Sequence, residues 1–148
     1  MNSESEHLIS KAISGPFAEH LSISVVEART GHAVLEMPAY EIHKESDGSI
    51  SYGAIVALAD TAIGIGARTL MGKDEEFATL ELQIVYLQAT SAARLFSQST
   101  IQRESESLIT GSVTVRDDQG NEIAIGQGTF AVFRADRSPS YTKSLASD

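Results

Sequence analysis

At 148 residues the chain is long enough to bury one core and too short for two. Its hydrophobic content of 42% and charged content of 21% are those of a soluble globular protein, and a net charge of −9 leaves no basic footprint for a nucleic-acid backbone or an anionic membrane surface. With no cysteine there is no disulfide, no thiolate zinc site and no cysteine nucleophile.

The opening stretch, MNSESEHLISK, is acidic where a secretory leader is basic and then apolar, so a cytoplasmic location is expected. Residues 1–6 are polar and expected to fray. From His7 to Leu21, the apolar residues Leu8, Ile9, Ala12, Ile13, Phe17 and Leu21 recur at three- and four-residue spacings. That period predicts an amphipathic helix, which Gly15-Pro16 interrupts. Ile23–Ala28 and His32–Met37 read as strands around the turn Arg29-Thr30-Gly31. Residues 38–51 read as a loop with Asp47-Gly48 as its turn, and the loop's length points to a role beyond connection.

The segment from Gly53 to about Met71 carries small or branched apolar residues on every side, which predicts a helix buried along nearly its whole length. Its apolar run is shorter than a bilayer span and holds Asp60 in its middle, so it does not read as transmembrane. After Gly72 the period changes to two. Ala78, Leu80, Leu82, Ile84 and Tyr86 alternate with Thr79, Glu81, Gln83 and Val85, as in a strand. Arg94–Arg103 and Leu108–Arg116 are strand-like, and Gly120-Asn121 makes a hairpin turn into Ile123–Phe133. The tail, 135–148, is polar and expected to be loose. One helix apolar all round, beside about six strands, is best buried by an antiparallel sheet that curls around it. The expectation is an α+β hotdog fold in a single domain, with its core over about 20–133.

Asp60 is the strongest chemical signal, being the only charged residue between Gly53 and Ala67 on a helix that must be buried. Burying an ionised carboxylate is costly without partners, and perturbed carboxylates concentrate at functional sites. A structural carboxylate satisfied by backbone or hydroxyl donors, with Thr61 beside it, is the alternative.

The stretch SYGAIVALADTA, Ser51 to Ala62, resembles the helix-start motif of the PaaI-like acyl-CoA thioesterases, His-Gly-Gly followed by Leu-Ala-Asp-Thr-Ala. Thr79–Ala89 (TLELQIVYLQA) is similar to the strand that follows in that family, and GQGTFAVF to its last strand. The resemblance implies a thioester hydrolase in which Asp60 is the general base or nucleophile and the Tyr52 N–H is the oxyanion donor. It implies that Thr79 holds the water or the carboxylate, and that the site forms between two subunits of a homodimer, in a dimer or a tetramer. Ser51 stands where the family has His, Tyr52 where it has the first Gly, and Gly48 fits a preceding Gly; Gly53 completes the motif. Glu45 occupies the place of an Asn that orients the water, and Gln88-Ala89 replaces an Arg-Pro. Carried over, Glu45 reaches Asp60 of the partner copy and raises one apparent pKa of the pair.

Arg134, after the last strand, is a candidate for a CoA phosphate. The histidines His7, His20, His32 and His43 show no metal-ligand spacing and read as surface residues, so neither metal nor cofactor is expected. Three readings remain open. The leading one is an acyl-CoA or related thioester hydrolase. The second is a non-catalytic acyl- or CoA-binding module, and the third a hotdog dehydratase or hydratase, which needs a His near the helix start.

Overall fold

The computed structural model describes residues 3–137. Two short helices come first, α1 (Ser3–Ile13) and α2 (Pro16–His20). Gly15-Pro16 separates them as the sequence predicts, with Pro16 in the first turn of α2, where its missing N–H breaks no helical bond. Helix α1 begins at Ser3, inside the stretch expected to fray. Of the tail, Ala135–Arg137 forms a 3-10 turn, and 138–148 lie outside the described residues.

The remainder is a sheet and one long helix. The strands are β1 (Ser24–Arg29), β2 (His32–Pro38), β3 (Glu75–Tyr86), β4 (Arg94–Arg103), β5 (Leu108–Asp117) and β6 (Glu122–Arg134), with α3 (Tyr52–Arg68) between β2 and β3. Their order in space is β1-β2-β4-β5-β6-β3, with every neighbouring pair antiparallel. Helix α3 therefore carries the chain across the sheet from β2 to the far edge, where β3 pairs with β6. This is the α+β hotdog architecture read from the sequence.

Register puts the buried residues under the helix. Ala33, Leu35 and Met37 of β2 pair with Ser99, Ser97 and Leu95 of β4, and Ser97 and Ser99 pair with Val115 and Val113 of β5. All are buried, against Ile55, Leu58, Ala59, Ala62 and Ile63 of α3. Each large side chain so buried contributes about 1.5–3 kcal/mol. The Ser99 hydroxyl lies between the two layers and donates to the Ala62 carbonyl at 2.7 Å, so this buried polar group is satisfied.

The helix differs from its sequence reading in two respects. It stops at Arg68, three residues before Met71, where tight turns take over: the Thr69, Leu70 and Met71 amides donate to the Gly66, Ala67 and Arg68 carbonyls. Thr69 Oγ1 donates to the Gly66 carbonyl at 2.6 Å while accepting the Gly31 amide at 2.8 Å, and Arg68 ties the following turn through the Gly72 and Glu75 carbonyls. Nor is it buried on every side. Tyr52, Gly53, Val56, Ala57, Asp60 and Thr61 form a stripe at four-residue spacing that stays partly open. Small apolar residues on this stripe made the helix look uniformly internal.

Strand β3 also departs from strict alternation. The ladder to β6 pairs Thr79 with Phe130 and Glu81 with Thr129, which leaves Leu80 as a bulge. Phe77 and Thr79 therefore lie on the same side as Leu82 and Ile84, which pack on the core, while Leu80 is turned outward and exposed. Without the extra residue, Thr79 would share a face with Gln83 and point away from α3.

Candidate active site

The bulge brings Thr79 to Asp60. The Thr79 hydroxyl lies 3.4 Å from Asp60 Oδ1, across the gap between α3 and β3. Both residues line a cavity of about 180 Å³, walled by Thr61, Gly64, Ile65, Phe77 and Phe130. Phe77 and Phe130 meet edge to face, their centroids 5.6 Å apart. In this mostly apolar setting burial raises the Asp60 pKa above its ordinary value, and the Thr79 hydroxyl partly offsets the rise. The carboxylate has no cationic partner among the salt bridges of the described residues.

The helix start is built by the loop before it. Residues Glu41–His43 form a 3-10 turn in which His43 Nδ1 accepts the Tyr40 amide at 3.1 Å. The His43 carbonyl accepts the Ser51 amide at 2.7 Å, and Lys44 bridges to Ile50. Between them the chain turns on itself: the Glu45 amide donates to the Ser49 carbonyl, and Gly48, at φ +85°, donates to the Glu45 carbonyl. A φ of this sign is where glycine avoids the strain that a Cβ introduces. Ser51 thus arrives as the N-cap of α3 without using its hydroxyl as a cap. The amides of Tyr52, Gly53 and Ala54 are left without intrahelical partners, as at any helix start. The Tyr52 ring, 52% exposed, stacks on Tyr86 at 4.2 Å, and the Tyr86 hydroxyl donates to the Tyr52 carbonyl at 3.2 Å.

Within one chain these parts fall into separate places. Asp60 and Thr79 meet. Ser51, Tyr52 and Gly53 form the helix start, eight residues before Asp60 at the Tyr52 position, or about 12 Å along the axis. Glu45 is exposed in the preceding turn beside Gly48 and does not line the Asp60 cavity. Arg134 closes β6, four residues beyond Phe130, and pairs with Asp136 on the surface at 3.5 Å. Among the described residues, no three of His, Cys, Asp and Glu gather to hold a metal ion, and no helix is long and apolar enough to cross a membrane.

Two histidines correct their surface reading. His32 and His43 are buried, His43 to 1% exposure, because its ring accepts the Tyr40 amide and stacks on the Tyr40 ring. The cavity walls Gly64, Phe77 and Phe130 were not singled out in the sequence. Phe77 and Phe130 become neighbours only through the β3–β6 register, which the Leu80 bulge shifts by one residue.

Known proteins share this fold. The family model of the thioesterase superfamily matches residues 47–124, from the loop before α3 into β6. A protein of Halobacterium salinarum named as an esterase is 30% identical over 127 residues, covering 78% of this chain and 83% of its own length. Among solved structures, a thioesterase family protein from Silicibacter pomeroyi superposes with a TM-score of 0.83 at 18% identity, covering 88% of this chain and 99% of its own. A mutant of the phenylacetic acid degradation protein PaaI from Thermus thermophilus gives 0.72 at 24% identity, covering 79% and 98%. The matched segment includes the helix with Asp60, the bulged strand with Thr79, and strands β4 and β5, and on that evidence the chain belongs to the thioesterase superfamily, with the PaaI-like hotdog fold.

Proposed function

We propose that this protein hydrolyses acyl thioesters of coenzyme A or a related carrier, with Asp60 as the general base or nucleophile. The observation that carries the reading is the state of that carboxylate. It stands alone on an otherwise apolar helix, faces a small apolar-walled cavity, is held by one hydroxyl and has a raised pKa, in a chain of the thioesterase superfamily. A carboxylate pushed upward is a better proton acceptor near neutral pH.

As general base, Asp60 takes a proton from water as the water oxygen attacks the thioester carbonyl carbon. The Tyr52 N–H holds the negative charge that develops on the carbonyl oxygen, aided by the helix dipole. The tetrahedral intermediate then loses the thiolate, which leaves as thiol with the proton from Asp60, and a carboxylic acid remains. Thr79 keeps the carboxylate turned toward the cavity.

The helix geometry supports a site shared by two chains. An oxyanion donor must lie about 3 Å from the reacting oxygen, and Tyr52 and Asp60 of one helix are about 12 Å apart. With the Tyr52 N–H as the oxyanion donor, the proposed site pairs Asp60 of one copy with Tyr52 of another, in a homodimer or a tetramer of two dimers. Strand β3 supports this: it is a long edge strand with Leu80, Val85, Tyr86 and Leu87 exposed along and just beyond it, a surface that invites pairing. In the dimer the turn with Glu45 and Gly48 and the helix start with Ser51 and Gly53 face the substrate, Glu45 approaches the other copy's Asp60, and Arg134 meets a CoA phosphate. The substrate is an acyl-CoA or similar thioester, with neither nucleic acid nor membrane as partner, and the location is cytoplasmic.

A thiol-release assay across a panel of acyl-CoAs tests the reading. Turnover that tracks enzyme concentration supports hydrolysis. Tight acyl-CoA binding without thiol release would favour the binding module instead, a reading that draws on Ser51, Tyr52 and Glu45 standing where the family has His, Gly and Asn.

A further inference from the structure

Two glycines lie two residues apart on α3, and packing explains only one of them. A Cβ at Gly66 would stand 2.6 Å from Ile101 Cγ1 and 2.8 Å from Ser99 Oγ, so glycine is what lets the helix rest on β4. At Gly64 the nearest atoms to a Cβ would be Phe77 Cε2 and Cζ, both at 3.4 Å, which is van der Waals contact. Alanine therefore fits at position 64 and would favour the helix by about 1 kcal/mol over glycine. What Gly64 leaves in place of a methyl group is space, and that space belongs to the cavity beside Asp60.

We propose that Gly64 sets the size of the acyl group this protein accepts, by keeping open an apolar acyl pocket walled by Ile65, Phe77 and Phe130. The inference rests on the thioester reading above. A cavity of about 180 Å³ is smaller than ordinary ligand pockets, which start at about 300 Å³. A short or medium hydrocarbon acyl group suits it. A long fatty acyl chain does not fit, since Phe130 is fully buried and braced edge to face against Phe77, which makes the far wall rigid. A charged acyl group is disfavoured as well, because a second carboxylate beside Asp60 would add repulsion to the cost of burial.

The test compares kcat/KM for acetyl-, butyryl-, hexanoyl- and palmitoyl-CoA in the wild type and in Gly64→Ala. The wild type is expected to prefer hexanoyl- over both acetyl- and palmitoyl-CoA. In Gly64→Ala the added methyl group occupies the pocket, and the hexanoyl-to-acetyl ratio is expected to fall about tenfold or more, the usual weight of one methylene in an apolar pocket. A thermal midpoint no lower than that of the wild type shows that the variant folds. An unchanged ratio, or a wild type that prefers palmitoyl-CoA, overturns the inference. If no acyl-CoA is hydrolysed, the hydrolase reading fails and the pocket is then judged by calorimetric binding of the same panel. Tighter binding of hexanoyl- than acetyl-CoA, lost in Gly64→Ala, upholds the pocket, and equal affinities in both proteins overturn it.

Discussion

Removing the charge of Glu75 tests the clasp that locks the far end of α3 to the start of β3. Glu75 accepts the two Arg103 amino groups at 2.8 and 3.0 Å and the Gly72 amide at 2.8 Å, while Arg103 also donates to the Leu70, Ser105 and Glu106 carbonyls. The Arg103 hydrogen bonds first, and then the Gly72 amide, lower the Glu75 pKa from 4.5 to about 2. At about 1.4 kcal/mol per unit, that depression corresponds to an upper limit of roughly 3 kcal/mol. The two side chains are still 25% and 28% exposed, so solvent screens the pair, and about 1–2 kcal/mol is expected. Glu75→Gln keeps the shape and removes the charge. Because the folded pKa is depressed, the stabilisation is fully present above the unfolded value of 4.5 and is lost as pH falls toward about 2. Urea unfolding at one fixed protein concentration, at about pH 7, 5.5 and 3.5, measures it. The wild type is expected to exceed Glu75→Gln by about 1–2 kcal/mol at the two higher values and by less at the lowest. A gap that is absent at neutral pH, or that does not shrink in acid, refutes the reasoning.

Other substitutions probe the packing and the site. Gly66→Ala places a methyl group against Ile101 and Ser99, and thermal unfolding should show a loss of about 1–3 kcal/mol despite the gain in helix propensity. Thr79→Val removes the hydroxyl that holds the Asp60 pKa down, so the acidic limb of the pH–rate profile is expected to move to higher pH. Glu45→Gln is expected to move that limb to lower pH, through loss of repulsion between the carboxylates of two copies; superimposable profiles would remove Glu45 from the mechanism.

The parts legible in the sequence are those set by local pattern. The sequence bounds of strands β4, β5 and β6 agree with the structure to within a residue at either end, because polar or glycine-containing turns separate them. Asp60 stood out because one charge on an apolar helix is costly wherever it lies. The geometry around it was less legible, because it depends on contacts far apart in the chain. Leu80 looks like one more alternating apolar residue, and only its pairing partners on β6 make it a bulge that turns Thr79 toward Asp60. The end of α3 was misplaced for a similar reason: Thr69 and Arg68 find their partners in Gly31 and in the turn leading to β3. His43 is polar in composition and buried in fact: its Nδ1 accepts the Tyr40 amide and its ring stacks on Tyr40, while the buried Nε2 has no hydrogen-bond partner among the described residues.

The central claim is that Asp60 does chemistry rather than hold the fold, and Asp60→Asn separates the two roles. Burial raises the pKa of Asp60, so its ionised form weakens the fold at neutral pH, and the neutral amide should leave stability unchanged or raise it. Asparagine keeps the shape but cannot take a proton from water, and kcat for thiol release is expected to fall by about 10²–10⁴ with acyl-CoA binding retained. A folded Asp60→Asn variant that turns over thioester at close to the wild-type rate, or one that loses stability while each folded molecule stays active, would contradict the account.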